Sequence, residues 1–280
     1  MRSSLIDTLF LSEKRKELLL FLKNGAKSSD EIKVAFDFPW KSMIPQIKKL
    51  VEWDLITYYK GTCTLTPMGK VIVRNMEDLL ATLEIHERYR SYWLKHDLRP
   101  IPDELLYRIG ELSNCEICEP QMPDIFEQQE DMLQRIDGSE RIMAFIPVHH
   151  PAQLIIYSGL MEKGTMLDLI ITEDVYRTIR GEIPQNHNIL LTDNPIFASL
   201  KKEYEKDINN LFKDERSNIF VYKGQVRPLD LIVSEKFFSM ALPGNQGKYD
   251  STTISSSEDS AILWGKELFD HYKDRSEKIT

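Results

Sequence analysis

A chain of 280 residues with 42% hydrophobic and 29% charged positions is long enough for two hydrophobic cores and too ordinary in composition to be fibrous or disordered. Apolar runs such as Leu18 to Leu22 fall far short of the ~20 residues that a bilayer-spanning helix needs, so no membrane helix is expected. The net charge of −8 hides an asymmetry: residues 1–74 carry 13 Lys or Arg against 8 Asp or Glu, and the remainder 23 against 36. A basic head on an acidic body leaves the head alone to face a polyanion such as DNA, where Lys and Arg gain affinity by releasing condensed counterions.

At the amino terminus Asp7, Glu13 and Lys14 to Lys16 interrupt the apolar positions, which does not fit a secretory signal and gives the expectation of a cytoplasmic protein. The three cysteines, Cys63, Cys115 and Cys118, are too few for a disulfide framework in a chain of this length.

Leu5, Leu9, Phe10, Leu18, Leu19, Phe21 and Leu22 recur at helical spacing, and Asn24-Gly25 closes this first helix. Ser28 and Glu31 stand in the S-x-x-E relation of a capping box, which predicts a second, short helix over 29–35. A third begins near Ser42 and turns Met43, Ile44, Ile47, Leu50, Val51 and Trp53 toward the first two, with Pro45 in its first turn if Ser42 is the cap. Its other face carries Lys41, Gln46, Lys48 and Lys49. Leu55 to Tyr59, Lys60-Gly61-Thr62 and Cys63 to Thr66 then read as a short hairpin with a basic tip.

Three helices and a hairpin with basic residues on the third helix and the tip form the pattern of a winged helix-turn-helix. The candidate DNA-contacting residues are Lys41, Ser42, Gln46, Lys48, Lys49, Tyr59 and Lys60. Leu50 to Ile56 (LVEWDLI) and Leu65 to Lys70 (LTPMGK) resemble the wing entry and wing exit of archaeal winged-helix regulators. A protein-interaction module of the same shape is the alternative.

From Gly69 to His96 the helical pattern continues through Val73, Met76, Leu79, Leu80 and Leu83 to Tyr89, Tyr92 and Trp93. It suits either the chain's own core or the same helix of a second copy, and in a homodimer it would space two recognition helices by about one DNA turn, ~34 Å. The expected layout is a DNA-binding domain over 1–74, a helical linker and dimerisation segment over 75–112, and an α/β sensor domain over 113–280.

Tyr92-Trp93-x-x-His96-Asp97-Leu98, Ile101-Pro102-x-x-Leu105, Arg108-Ile109-Gly110-Glu111-Leu112, Ile146 to Pro151, Leu169 to Thr172 and Ala261 to Phe269 resemble archaeal regulators that carry the methanogenesis regulatory protein middle domain. The resemblance spans nearly the whole chain and implies a transcription factor with an amino-terminal winged helix and a carboxy-terminal α/β sensing region. Read from its own residues, that region alternates strands (141–148, 166–172, 218–222, 229–234, 237–242) with helices (153–163, 197–212, 259–272). The expected fold class is therefore α/β: a winged helix-turn-helix joined by a helical linker to a mixed α/β sensing domain.

Ligands bind such sheets at the carboxyl ends of the strands, which makes His149, His150, Thr172, Tyr222 and Asp230 the candidate residues for a small-molecule effector. No cofactor is expected. Cys115-Glu116-Ile117-Cys118 has metal spacing without a second ligand pair and reads as the turn after a helix. Phosphate-loop, dinucleotide and nucleophile-elbow motifs are missing, and His271-Tyr272-Lys273 begins a phospholipase-type H-x-K-x4-D pattern in which Lys278 replaces the aspartate. A degenerate phospholipase-like enzyme is thus only the alternative to a non-enzymatic regulator.

Overall fold

The computed structural model describes residues 4–119, 132–148, 151–182, 206–224, 229–245 and 252–279. The chain forms two compact units, residues 1–83 and 84–280.

In the first unit α1 (Leu5–Phe10) is capped by Ser4, and α2 (Glu13–Phe21) ends in a 3-10 turn over Leu22–Asn24 that Gly25 closes at φ 110°. β1 is Lys27–Ser28 and α3 is Ser29–Ala35, with Ser28 Oγ accepting from Glu31 N and the Glu31 side chain accepting from Ser28 N. Two orphan donors are thereby satisfied, as the S-x-x-E spacing requires.

The third helix, α4 (Trp40–Glu52), starts earlier than expected, with Pro39 rather than Ser42 at its cap position. Pro45 consequently lies in the second turn, where its missing N–H leaves the Lys41 carbonyl without its helical donor. Ser42 instead donates back to the Pro39 carbonyl at 2.8 Å.

β2 (Ile56–Tyr59) and β3 (Thr62–Leu65) make the hairpin. Lys60 and Gly61 have φ of 46° and 81°, so both central residues are left-handed, as a type I′ turn demands. β1 pairs with β3 and gives the order β1-β3-β2, the three-strand complement of a winged helix. Leu18, Leu19, Leu22, Ile32, Met43, Leu50, Leu55 and Ile56 fill its core.

α5 (Pro67–Arg88) opens where Thr66 Oγ1 accepts from Gly69 N and donates to Asp54 O. A Cβ on Gly69 would sit 2.0 Å from the Leu55 carbonyl oxygen, so only glycine lets this helix start against the hairpin entry. The long helical pattern breaks at Tyr89, whose φ of −123° and ψ of 33° leave the helical region, and α6 (Arg90–Lys95) follows, with Trp93 Nε1 donating back to the Ile85 carbonyl at 3.0 Å.

The second unit continues with α7 (Asp103–Leu106), β4 (Glu116–Cys118), β5 (Arg141–Ile146), α8 (Pro151–Glu162), β6 (Met166–Thr172) and α9 (Glu173–Ile179). After a helical stretch at 206–213 come β7 (Ser217–Tyr222), β8 (Asp230–Val233), β9 (Phe238–Ala241), β10 (Thr253–Ser256), α10 (Asp259–Lys273) and β11 (Ser276–Lys278).

These strands form one eight-stranded sheet in the order β11-β7-β6-β5-β8-β9-β10-β4. β5, β6 and β7 are parallel and the remaining pairs antiparallel, so the fold is mixed α/β. α8 and α9 cover one face with Leu154, Tyr157, Leu160 and Val175, and α10 covers the other with Trp264, Leu268, Phe269 and Tyr272. Cys118 belongs to the edge strand β4, paired with Thr253, and not to the turn expected after a helix. Of the helix expected over 197–212, residues 197–205 lie outside the described residues.

The sequence motifs at 92–112 lock this segment onto α10. Trp264 Nε1 donates to Leu105 O at 3.0 Å, Tyr272 Oη to Pro100 O at 2.6 Å and Ser260 Oγ to Glu111 O at 3.1 Å. Arg108 bridges Glu111 and Glu267 through four hydrogen bonds.

Candidate nucleic-acid face and ligand site

Met43, Ile47 and Leu50 are the buried stripe of α4, which turns Lys41, Pro45 and Lys48 outward. Among the described residues Lys41 and Lys48 have no ion-pair partner. Lys49 is half-buried and lies 3.7 Å from Glu52. Ser42 and Gln46 sit toward α2: Lys14 Nζ donates to Ser42 Oγ at 2.8 Å, and Arg15 Nη1 to Gln46 Oε1 at 2.7 Å. Arg15 is itself tied to the carbonyls of Thr8 and Asp7. The seven candidates therefore divide into an outward pair, three residues engaged within the unit and a wing tip. Lys14 and Arg15 join the edge of this face, a placement that their position in the first helix did not reveal.

At the tip, Tyr59 is exposed and Lys60 Nζ lies 5.2 Å from its ring centroid. Ser29 holds the turn, its N–H and Oγ both donating to Gly61 O, and Ser29 Oγ and Tyr58 Oη are 3.1 Å apart. The wing is thus a rigid turn pinned to the start of α3.

In the α/β unit, His149 and His150 lie outside the described residues. Thr172 Oγ1 accepts from Val175 N, capping α9, and donates to Pro147 O, bridging the ends of β5 and β6. Tyr222 packs on the α10 face, edge-on to Phe145 and Tyr272 at 5.6 and 5.3 Å. Asp230 belongs to the opposite face, where Gln153 Nε2 donates to Oδ2 at 3.4 Å. Burial pushes its carboxyl up to about 6, with Gln153 lowering it in part. Tyr222 and Asp230 are therefore not brought together, and Gln153 and Tyr157, an i, i+4 pair on α8, are the neighbours of Asp230 that sequence reasoning missed.

Asp168, 4% exposed at its side chain, has Asn218 Nδ2 at 2.7 Å, Arg141 Nη1 at 3.1 Å and Lys273 Nζ at 3.6 Å. The basic member of His271-Tyr272-Lys273 is thereby committed to an internal ion pair, and Tyr272 to the Pro100 carbonyl. Burial pushes the Cys115 thiol up to about 12, which leaves it without thiolate reactivity at neutral pH. Among the described residues no group of three His, Cys, Asp or Glu side chains is placed to hold a metal, and no helix is long and apolar enough to cross a membrane.

The described residues thus form a winged helix and a mixed α/β unit. The model of the methanogenesis regulatory protein FilR1 middle domain matches residues 125–194 and 189–275, more than half of the chain, which therefore belongs to this family. The chain is 26% identical over 270 residues to the methanogenesis regulatory protein FilR1 of Methanothrix harundinacea (strain 6Ac), a match covering 96% of this chain and 56% of the relative. It thus spans about half the length of that curated relative. Among solved structures it is similar to TrmBL2, described as an archaeal chromatin protein, at a TM-score of 0.41 and 11% identity over 98% of this chain and 97% of that one. It is also similar to the dimethyltransferase RosA of Streptomyces davawensis, at 0.24 and 12% over 78% and 77%. Likenesses at these scores add nothing to the functional argument.

Proposed function

We propose that the protein is a cytoplasmic, sequence-specific DNA-binding transcriptional regulator. The winged helix reads double-stranded DNA, a second copy pairs along α5, and the α/β unit senses a small-molecule effector. The observation that carries this is the outer face of α4, where Lys41 and Lys48 stand exposed without ion-pair partners among the described residues, in the basic portion of an otherwise acidic chain. The fixed wing tip with Lys60 and Tyr59 supplies a second contact point of the kind winged helices place on the DNA backbone. The relative's name, a methanogenesis regulatory protein, agrees with this role.

Met68, Val71, Leu79 and Leu83 leave an exposed apolar stripe on α5, and a second copy of the same helix is the occupant that a two-fold regulator requires. α5 runs across the boundary between the units, so a change sensed in the α/β unit has an element through which to reach the winged helix. Coupling of this kind is worth about 1 to 3 kcal/mol.

The test is fluorescence anisotropy of the full chain on its own promoter DNA over a salt series. Lys41→Glu/Lys48→Glu should lower affinity by roughly two orders of magnitude or more while moving folding stability by less than about 1 kcal/mol. Unchanged affinity in that variant would remove α4 from the DNA interface. A wild-type chain that binds no promoter fragment would favour a protein-interaction module instead.

A further inference from the structure

Asp230 opens β8 beside the carboxyl end of β5, one residue from the Phe145–Leu231 pair, on the face covered by α8. Its neighbours on that face are apolar or small: Ile146, Ile232 and Ala241. A carboxylate offers about four lone-pair sites, yet among the described residues its polar contact is the single long bond from Gln153. One turn further along α8, Tyr157 is 2% exposed, and its hydroxyl has no hydrogen bond among the described residues. The Tyr157 phenol lies close enough to feel the charge of Asp230, and burial together with that charge pushes its ionisation upward.

Asp168 shows what a carboxylate of this sheet looks like when its role is structural. It has a guanidinium, an ammonium and an amide around it. Asp230, largely buried but not closed to solvent, has no guanidinium or ammonium beside it among the described residues. Buried charges that lack a protein partner are otherwise neutralised by a proton or by a ligand.

We infer that Asp230, Gln153 and Tyr157 form a recognition point for the ammonium group of a small organic cation. The carboxylate supplies the counter-charge, the Gln153 carbonyl oxygen accepts a second N–H, and the Tyr157 hydroxyl supplies a further acceptor. An anionic ligand would be repelled by Asp230, and a neutral one would leave the charge uncompensated. The inference rests on the proposal that the α/β unit senses an effector, and it gives that effector a chemical class.

The test is calorimetric titration of the full chain with n-alkylammonium ions from methyl to butyl, with the matching alcohols as uncharged controls at constant ionic strength. At least one ammonium ion should bind at millimolar concentration or better. Asp230→Asn should weaken it by roughly tenfold or more, and Tyr157→Phe by less. Binding should also fall as pH drops through about 6, where the carboxylate takes up its proton. Failure of every ammonium ion to bind, equal binding by Asp230→Asn, or equal binding of the alcohols overturns the inference. If Asp230→Asn does not fold, the pH dependence and the alcohol controls decide it. Promoter binding measured on the same samples keeps the outcomes apart, since loss of DNA binding with intact ammonium binding sinks the regulator and not this site.

Discussion

Both units pair cations with carboxylates, and they differ in what is left over. In the α/β unit, cations are bound internally: Arg108 by Glu111 and Glu267, Arg141 and Lys273 by Asp168, and Arg216 by Asp214. In the winged helix, Lys41 and Lys48 are left open on the outer face of α4. A cation whose charge is already matched inside the fold has little left for a phosphate, whereas an open one retains its full counterion-release term. Removing a charge should therefore cost stability in one unit and binding in the other.

The largest expected effect is at Asp168, 4% exposed at its side chain and surrounded by donors. Asp168→Ala should destabilise the α/β unit by about 3 kcal/mol, because it strands Arg141, Lys273 and Asn218 against a small cavity. Denaturant unfolding monitored on that unit gives the number, and a loss below about 1 kcal/mol would show that the cluster is merely a solvated surface network.

Asp230 should respond with the opposite sign. Its folded carboxyl titrates at about 6 against 3.8 for the ordinary group, so the folded state holds the proton more tightly than the unfolded chain. The stability this provides is present below about pH 4 and is lost as pH rises toward 6. Asp230→Asn, which never ionises, should match the wild type in acid and exceed it by about 2 kcal/mol at mildly alkaline pH, once partial exposure is discounted. A variant less stable than the wild type at that pH would show that the charge is compensated in the fold.

Arg108 stands between these cases. Its partners hold it on both sides, but it and both glutamates are about half exposed. Arg108→Ala should cost roughly 1 kcal/mol, the scale of an exposed network, and high salt should shrink the difference. A salt-independent loss would point to lost packing of its alkyl stem instead.

How much of this was legible in the sequence depended on how local the determinant is. The box at Ser28 and Glu31, the turn at Lys60-Gly61 and the strands Arg141–Ile146 and Met166–Thr172 are each specified by a few adjacent residues. β4, β10 and β11 are three or four residues long and exist only because distant strands offer them a ladder, so no window of sequence announces them. The same limit split the ligand candidates. β7 is buried on both faces and carries no alternation to say which way Tyr222 points, whereas the contact of Asp230 with Gln153 joins residues 77 positions apart. On α4, the pattern placed Met43, Ile47 and Leu50 in the core, but Ile44 and Val51 of the expected buried stripe are exposed, and it could not show that Lys14 and Arg15 of α2 occupy Ser42 and Gln46.

The smallest effect is expected at Lys60, and it is the sharpest form of the contrast between the units. Its backbone is left-handed at φ 46°, and alanine would carry the same strain in the same turn, so Lys60→Ala should leave folding stability within about 0.5 kcal/mol. Its ammonium lies against the Tyr59 ring, 5.2 Å from the centroid, and both side chains are exposed, so little packing is lost. What should change is DNA binding. On the proposed wing contact, one phosphate fewer is neutralised, affinity falls nearly equally for all sequences, and the slope of log affinity against log salt decreases in magnitude by about one. Anisotropy titrations on the promoter and on an unrelated duplex measure both quantities. An unchanged slope would place the wing tip away from the backbone, and a loss confined to the promoter would make Lys60 a reader of bases. Either result would leave α4 alone as the place where this chain's open cations meet phosphate.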